Sequence, residues 1–152
     1  MSKWAILATV GAVTVFAAIA LFNAWAWPVI NVVETGNTPE YPDLLPKPYQ
    51  AKPGRMFDAA LRAVSLMPRW TVVSSRLEQG EIRVEARTRM LRFVDDVVIR
   101  VTEQGGGTVV NVRSASRVGR GDFGQNARNV RSFFEELDRQ VRSGERQQAP
   151  AR

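Results

Sequence analysis

The chain of 152 residues carries 21 Lys+Arg against 15 Asp+Glu, a formal charge of +6, and contains neither cysteine nor histidine. That length admits one modest domain and excludes a multidomain enzyme. Without Cys and His there is no disulfide, no thiolate metal site, no Cys nucleophile and no Ser-His-Asp triad, and the basic surface attracts anionic partners without choosing among them.

No charge falls between Trp4 and Val33. At ~1.5 Å per residue the stretch from Trp4 to Trp25 spans about 31 Å, the thickness of a bilayer core. Trp4, Trp25 and Trp27 suit the two interfaces, and Pro28 ends the helix. Residues 1–33 are therefore expected to be an uncleaved transmembrane anchor. The alternative is a signal peptide cleaved after Ala26, at the small-x-small sequence Ala24-Trp25-Ala26, which leaves a secreted domain. Lys3 before the span and an acidic far flank place the N-terminus in the cytoplasm and the C-terminal part outside it, as a periplasmic domain.

Residues 34–53 hold five prolines (Pro39, Pro42, Pro46, Pro48, Pro53) and read as a linker. Tyr41, Leu44, Leu45 and Tyr49 within it are apolar enough to dock. Residues 54–144 form the expected folded domain, and 145–152 a polar, disordered tail. In that domain Phe57, Ala60, Leu61, Val64 and Met67 recur at helical spacing, closed by Pro68. Four strand-like runs follow: 70–77, 82–90, 93–102 and 108–117. The second alternates Ile82, Val84, Ala86, Thr88 and Met90 with Arg83, Glu85, Arg87 and Arg89. Matching the inward phases pairs Met90 with Phe93, Ala86 with Val97, Ile99 with Val112 and Val101 with Val110. The last helix carries Phe123, Ala127, Val130, Phe134, Leu137 and Val141 on one face, with Asp122 as N-cap, Gln125 at the capping-box position and Gly144 as a stop. Glu135–Arg139 and Asp138–Arg142 are expected as i,i+4 pairs. The fold class is α+β: a transmembrane helix, then an α-β-β-β-β-α domain with a four-stranded antiparallel sheet and two helices on one face.

That register turns Asp95 inward, opposite Thr88 on one side and Ser116 on the other. A carboxylate there needs hydrogen-bond partners. Either it organises the turn from Ser116 to Asp122, or it forms a polar pocket with Thr88, Ser114 and Ser116. Asp96 faces outward, where Arg113 or Arg117 can pair with it. The adjacent carboxylates point to opposite faces and cannot share a metal or act as an acid–base pair. Gly119-Arg120-Gly121-Asp122-Phe123-Gly124 matches G-x-G-x-x-G, but no further strand follows the helix. Asp122 also stands where a phosphate would sit, so the glycines read as turn formers rather than a nucleotide loop. The outward arginines Arg76, Arg83, Arg87, Arg89, Arg100, Arg113 and Arg117 form either a solvated face or a platform for lipid headgroups or an anionic polymer. Nucleic acid fits poorly, because no aromatics are interleaved with them.

Residues 93–101, FVDDVVIRV, followed by residues 112–128, VRSASRVGRGDFGQNAR, resemble the signature of the domain-of-unknown-function 1499 family. The resemblance extends over roughly residues 41–141, with Gly121 where the family often has Ser. It implies a domain often preceded by membrane helices, and no reaction. Its signature positions include Asp95, Asp96, Arg113, Ser114, Ser116, Arg117, Gly119, Asp122, Gly124 and Asn126. The expected function is non-enzymatic: a membrane-anchored binding or scaffolding domain for a lipid or amphiphile, an anionic polymer or an envelope protein. The alternatives are a hydrolase using Asp95 with Ser114 or Ser116, which lacks an evident base, and an accessory subunit packing its helix through Gly11, Ala12, Ala17, Ala18 and Ala20. Neither a metal nor a cofactor is expected.

Overall fold

The structure is a computed structural model that describes residues 3–26, 28–89 and 92–148. The elements in order are α1 (Lys3–Ala26), β1 (Val32–Glu34), β2 (Lys47–Tyr49), α2 (Pro53–Leu66), β3 (Trp70–Arg76), β4 (Glu81–Arg87), β5 (Val94–Gln104), β6 (Gly107–Ser116) and α3 (Gln125–Gln148), with a 3-10 turn at Leu77–Gln79.

The expected transmembrane helix is not supported. Among the described residues no helix is long and apolar enough to cross a membrane. The backbone of α1 is helical through the apolar run. Trp27, expected in an aromatic belt, lies outside the described residues.

The expected four-stranded sheet is six-stranded and antiparallel, in the order β1-β6-β5-β4-β3, with β2 also on β6. The two additional strands share one edge of β6. Val32, Val33 and Glu34 lie opposite Ala115, Ser114 and Arg113. Lys47, Pro48 and Tyr49 lie opposite Val110, Val109 and Thr108. Three-residue strands are too short to show a period of two, and Pro48 is tolerated because β2 is an edge strand. The segment between them docks through buried Tyr41 and Leu44. Lys47 pairs with Asp138 of α3, and the Tyr49 hydroxyl donates to the same carboxylate at 2.9 Å. Burial, followed by that bond, pushes the Tyr49 hydroxyl pKa far up.

The core lies between one face of the sheet and the two helices α2 and α3. Ile82, Val84 and Ala86 meet Val97, Ile99 and Val101 and then Val110 and Val112. Met56, Phe57, Ala60 and Val64 cover them from α2, and Ala127, Val130, Phe133 and Leu137 from α3. Pro53 sits in the first turn of α2, where its missing N–H removes no helical bond. The helix ends as Met67 turns extended, as a residue before proline prefers.

Ile99–Val112 and Val101–Val110 are the observed pairs of β5 and β6. The β4–β5 hairpin differs by two residues: Ala86 faces Asp95, not Val97, and Val84 faces Val97. The Thr88 N–H donates to the Phe93 carbonyl at 2.9 Å, so the loop is wider than a tight turn. A slip of two keeps every side chain on its face, which is why the inward set is unchanged. The expected Met90–Phe93 pair involves a residue outside the described ones. Phe93 and Phe123, expected inside, are exposed, and Phe133 is fully buried instead. The last helix runs through Gly144 to Gln148. Within it Arg139 pairs with Glu136, and Asp138 is held by Lys47 and Tyr49, in place of the expected i,i+4 pairs.

Candidate functional site

Asp95 is 2% exposed on the inner face of β5, at the end of the sheet where α3 begins. Its Oδ1 accepts a hydrogen bond from the Ser116 hydroxyl at 2.7 Å, and its Oδ2 accepts one from Asn129 Nδ2 at 2.9 Å. Asn129 Nδ2 also donates to Ser114 Oγ at 3.1 Å, and the Ser114 hydroxyl donates to Asn126 Oδ1 at 2.6 Å. Asn126 Nδ2 closes the ring by donating to Ser116 Oγ at 3.0 Å and to the Asn31 carbonyl at 2.9 Å. Four polar side chains thus surround one buried carboxylate, supplied by β6 and by successive turns of α3. A half-satisfied set in this position would be costly, and here every polar side-chain atom of the ring has at least one partner.

Asp122 anchors the helix above this ring. Its carboxylate accepts from the backbone N–H of Gly124 at 2.9 Å and of Asn126 at 2.6 Å. The helix N-terminus is thereby occupied by the protein's own anion. Gln125 turns away from the capping-box geometry and donates to Asn129 Oδ1 at 2.9 Å. Gly119 (φ 91°) and Gly124 (φ 73°) take left-handed conformations in this turn, whereas Gly121 does not. Phe123 is also left-handed, at φ 51°, which costs a residue with a Cβ roughly 1–2 kcal/mol. Arg128 holds its carbonyl at 2.9 Å.

A half-open cleft of about 650 Å³ lies over the ring. Asp95 and Ser116 belong to its floor, and Thr88, Gly119 and Asp122 to its walls. Phe93, Val118 and Phe123, respectively 47%, 62% and 65% exposed, form its apolar rim, and Arg89 and Arg128 line it as well. Of the candidate residues, Ser114 and Asn126 stand behind the floor, and Gly124 shapes the turn. Arg120 is exposed beside the cleft but does not line it.

Asp96, Arg113 and Arg117 are on the opposite face of the sheet, as adjacent strand positions dictate. Arg117 bridges Asp96 and Glu85, each at 2.6 Å. Arg83 and Arg100 meet Glu81, and Arg87 meets Glu85. The Arg117 bond is the leading cause that holds Asp96 below the ordinary carboxylate range. Among the described residues no cluster of acidic residues could hold a metal ion.

Asn129, Asn31 and the rim residues Val118 and Phe123 are the parts of the site that sequence reading missed. One signal existed. Asn126, Asn129, Phe133 and Leu137 step by 3, 4 and 4 along α3, so two amides share a stripe with two large apolar residues.

Burial is the first cause that raises the Asp95 pKa above its ordinary 3.8, opposed by the bonds from Ser116 and Asn129. A carboxyl whose folded pKa is raised favours folding fully below the unfolded value and loses that contribution as pH rises through the folded pKa. Asp95→Asn cannot ionise. The variant is therefore expected to gain stability relative to the wild type as pH rises above about 4. Chemical unfolding of both proteins from pH 4 to 8 checks this, and a variant that loses ground over that range would show that the ring stabilises the ionised form.

The profile of a family described as "Protein of unknown function (DUF1499)" matches residues 23–137. No curated protein matches the chain. TTHA0849 from Thermus thermophilus is similar in structure at 13% identity and a TM-score of 0.41, over 74% of this chain and 98% of that one. Ara h 8.0201 is similar at 12% identity and a TM-score of 0.36, over 74% of this chain and 97% of that one. Likenesses at that level carry no conclusion about fold or function. With the profile covering most of the chain, including both signature blocks and the whole Asp95 ring, the chain belongs to the DUF1499 family of proteins of unknown function.

Proposed function

We propose that the chain is a non-catalytic binding domain and that the cleft over Asp95 takes an amphiphile. The observation that carries this reading is the rim. Phe93, Val118 and Phe123 leave large apolar surfaces in solvent around a single polar floor. Contiguous exposed apolar surface of this kind marks binding sites, and a volume of about 650 Å³ falls in the range of small-molecule clefts. The strained Phe123 sits at the same rim, and backbone strain concentrates at ligand sites. A hydrolytic role for Asp95 with Ser114 or Ser116 finds less support. Both hydroxyls already donate within the ring, and a Ser nucleophile here lacks a histidine or lysine base.

Displacement of the neutral fluorescent probe N-phenyl-1-naphthylamine from the full chain by decyl-chain amphiphiles tests the reading. Phe123→Ala is expected to weaken binding by about 10-fold or more, the equivalent of ~1.5–3 kcal/mol of lost aromatic burial. Binding unchanged by Phe123→Ala and Val118→Ala would place the amphiphile elsewhere and overturn the proposal.

A further inference from the structure

The floor of the cleft offers acceptors and no side-chain donor. Both N–H bonds of the Asn129 amide are engaged, by Asp95 and Ser114. Both N–H bonds of the Asn126 amide are engaged, by the Asn31 carbonyl and Ser116. The Ser114 hydroxyl hydrogen goes to Asn126 and that of Ser116 to Asp95. Each Asp95 oxygen accepts one of these bonds, whereas a carboxylate oxygen has capacity for two. The unfilled hydrogen-bonding capacity at the floor is therefore of acceptor type, on the two Asp95 oxygens and on the second lone pair of Ser116 Oγ.

Resting on the amphiphile reading, we infer that the ligand enters with its polar end first and that this end is an uncharged hydroxyl donating to Asp95. An anionic end would find Arg89 and Arg128 in the lining, but at the floor it would meet the buried Asp95 carboxylate, a like-charge and desolvation penalty together. An ammonium end would satisfy Asp95 but would give up its hydration at a buried floor, in a cleft where Arg89 and Arg128 already offset Asp95 and Asp122. An alcohol needs only the one acceptor and leaves its apolar body for Phe93, Val118 and Phe123.

Asp95→Asn inverts this chemistry at constant shape. The new amide oxygen can accept from Asn129 while its N–H donates to Ser116 Oγ, which frees the Ser116 hydroxyl to donate into the cleft. The experiment compares decanol, decanoate and decylammonium as displacers of N-phenyl-1-naphthylamine from the full chain, in the wild type and in Asp95→Asn at pH 7. Decanol is expected to bind the wild type at least 10-fold more tightly than either charged analogue. In Asp95→Asn the preference for decanol over decanoate is expected to fall at least 10-fold. Decanoate or decylammonium binding the wild type as well as decanol, through a site that Phe123→Ala weakens, would overturn this inference and leave the amphiphile reading standing. A selectivity that Asp95→Asn does not move would also overturn it. If none of the three compounds displaces the probe in a Phe123-dependent way, the amphiphile reading itself fails. Should Asp95→Asn fold poorly, Ser116→Ala provides the second test. It removes the donor to Oδ1 and is expected to keep or strengthen the preference for decanol, so a lost preference would count against the inference.

Discussion

Phe133→Ala is expected to lower the unfolding free energy by about 3–5 kcal/mol, the usual range for truncating a buried aromatic. Phe133 is fully buried on α3. Its ring stacks on Trp70 of β3 with centroids 6.4 Å apart, and Phe134 tilts against it at 5.7 Å. It therefore joins the last helix to the far edge strand across the whole sheet. The loss combines the transfer free energy of the ring with the cavity left between two elements that also pack on α2 and so cannot easily collapse. Denaturant unfolding by tryptophan fluorescence measures it, because Trp70 reports on the contact directly. Phe134→Ala serves as the comparison. Phe134 lies at the margin of the core, 9% exposed, and truncating it is expected to cost less. Equal losses at the two positions would contradict the placement of Phe133 at the centre.

Gly80→Ala is expected to cost about 3 kcal/mol or more, among the larger effects of a single methyl in this chain. Gly80 ends the 3-10 turn between β3 and β4 in the left-handed region, at φ 62° and ψ 25°. Its carbonyl accepts the Val101 N–H at 2.8 Å, which ties the turn to β5. A Cβ at this position would lie 2.1 Å from the Val101 carbonyl oxygen. That oxygen is main chain in a paired strand and has no rotamer to escape into. Gly105 is the control, because it has nearly the same φ, 61°, and nothing within 4 Å of an added Cβ. Gly105→Ala carries only the left-handed penalty, roughly 1–2 kcal/mol. Comparing the two variants by thermal or denaturant unfolding separates conformational strain from collision. Equal losses would show that the close approach to Val101 is not real.

Local pattern in the chain determined much of this protein. The alternation of Ile82, Val84 and Ala86 with Arg83, Glu85 and Arg87 assigns β4 and its inward face without any knowledge of its neighbours. The phases of β5 and β6 likewise set their mutual register and turn Asp95 inward beside Ser116, because one wrong step would expose an entire apolar face. The signature blocks identify the family for the same reason, as they hold those strands and the capped start of α3. The separation of Asp95 from Asp96 onto opposite faces also follows from strand geometry alone.

Tertiary structure decided the rest. The two-residue difference in the β4–β5 register depends on the width of the loop that Thr88 and Phe93 close, which leaves no periodic trace. The short strands β1 and β2 exist because β6 has an open edge and because Asp138 holds Lys47 and Tyr49 against α3, a pairing of residues about 90 positions apart. Phe93 and Phe123 read as core by hydrophobicity, yet the turns that carry them aim both into the cleft rim. Phe133 is buried together with Ala127, Val130, Phe134 and Leu137 of the expected stripe, because the face of α3 turned to the sheet is wider than that stripe and takes in Asn126, Asn129 and Phe133 as well. An apolar run long enough to suggest a membrane span did not establish one among the described residues. Asn126 and Asn129 acquire their roles only when α3 lies across β6, for a hydrogen-bond ring is assembled from distant elements and its members carry no common local signal.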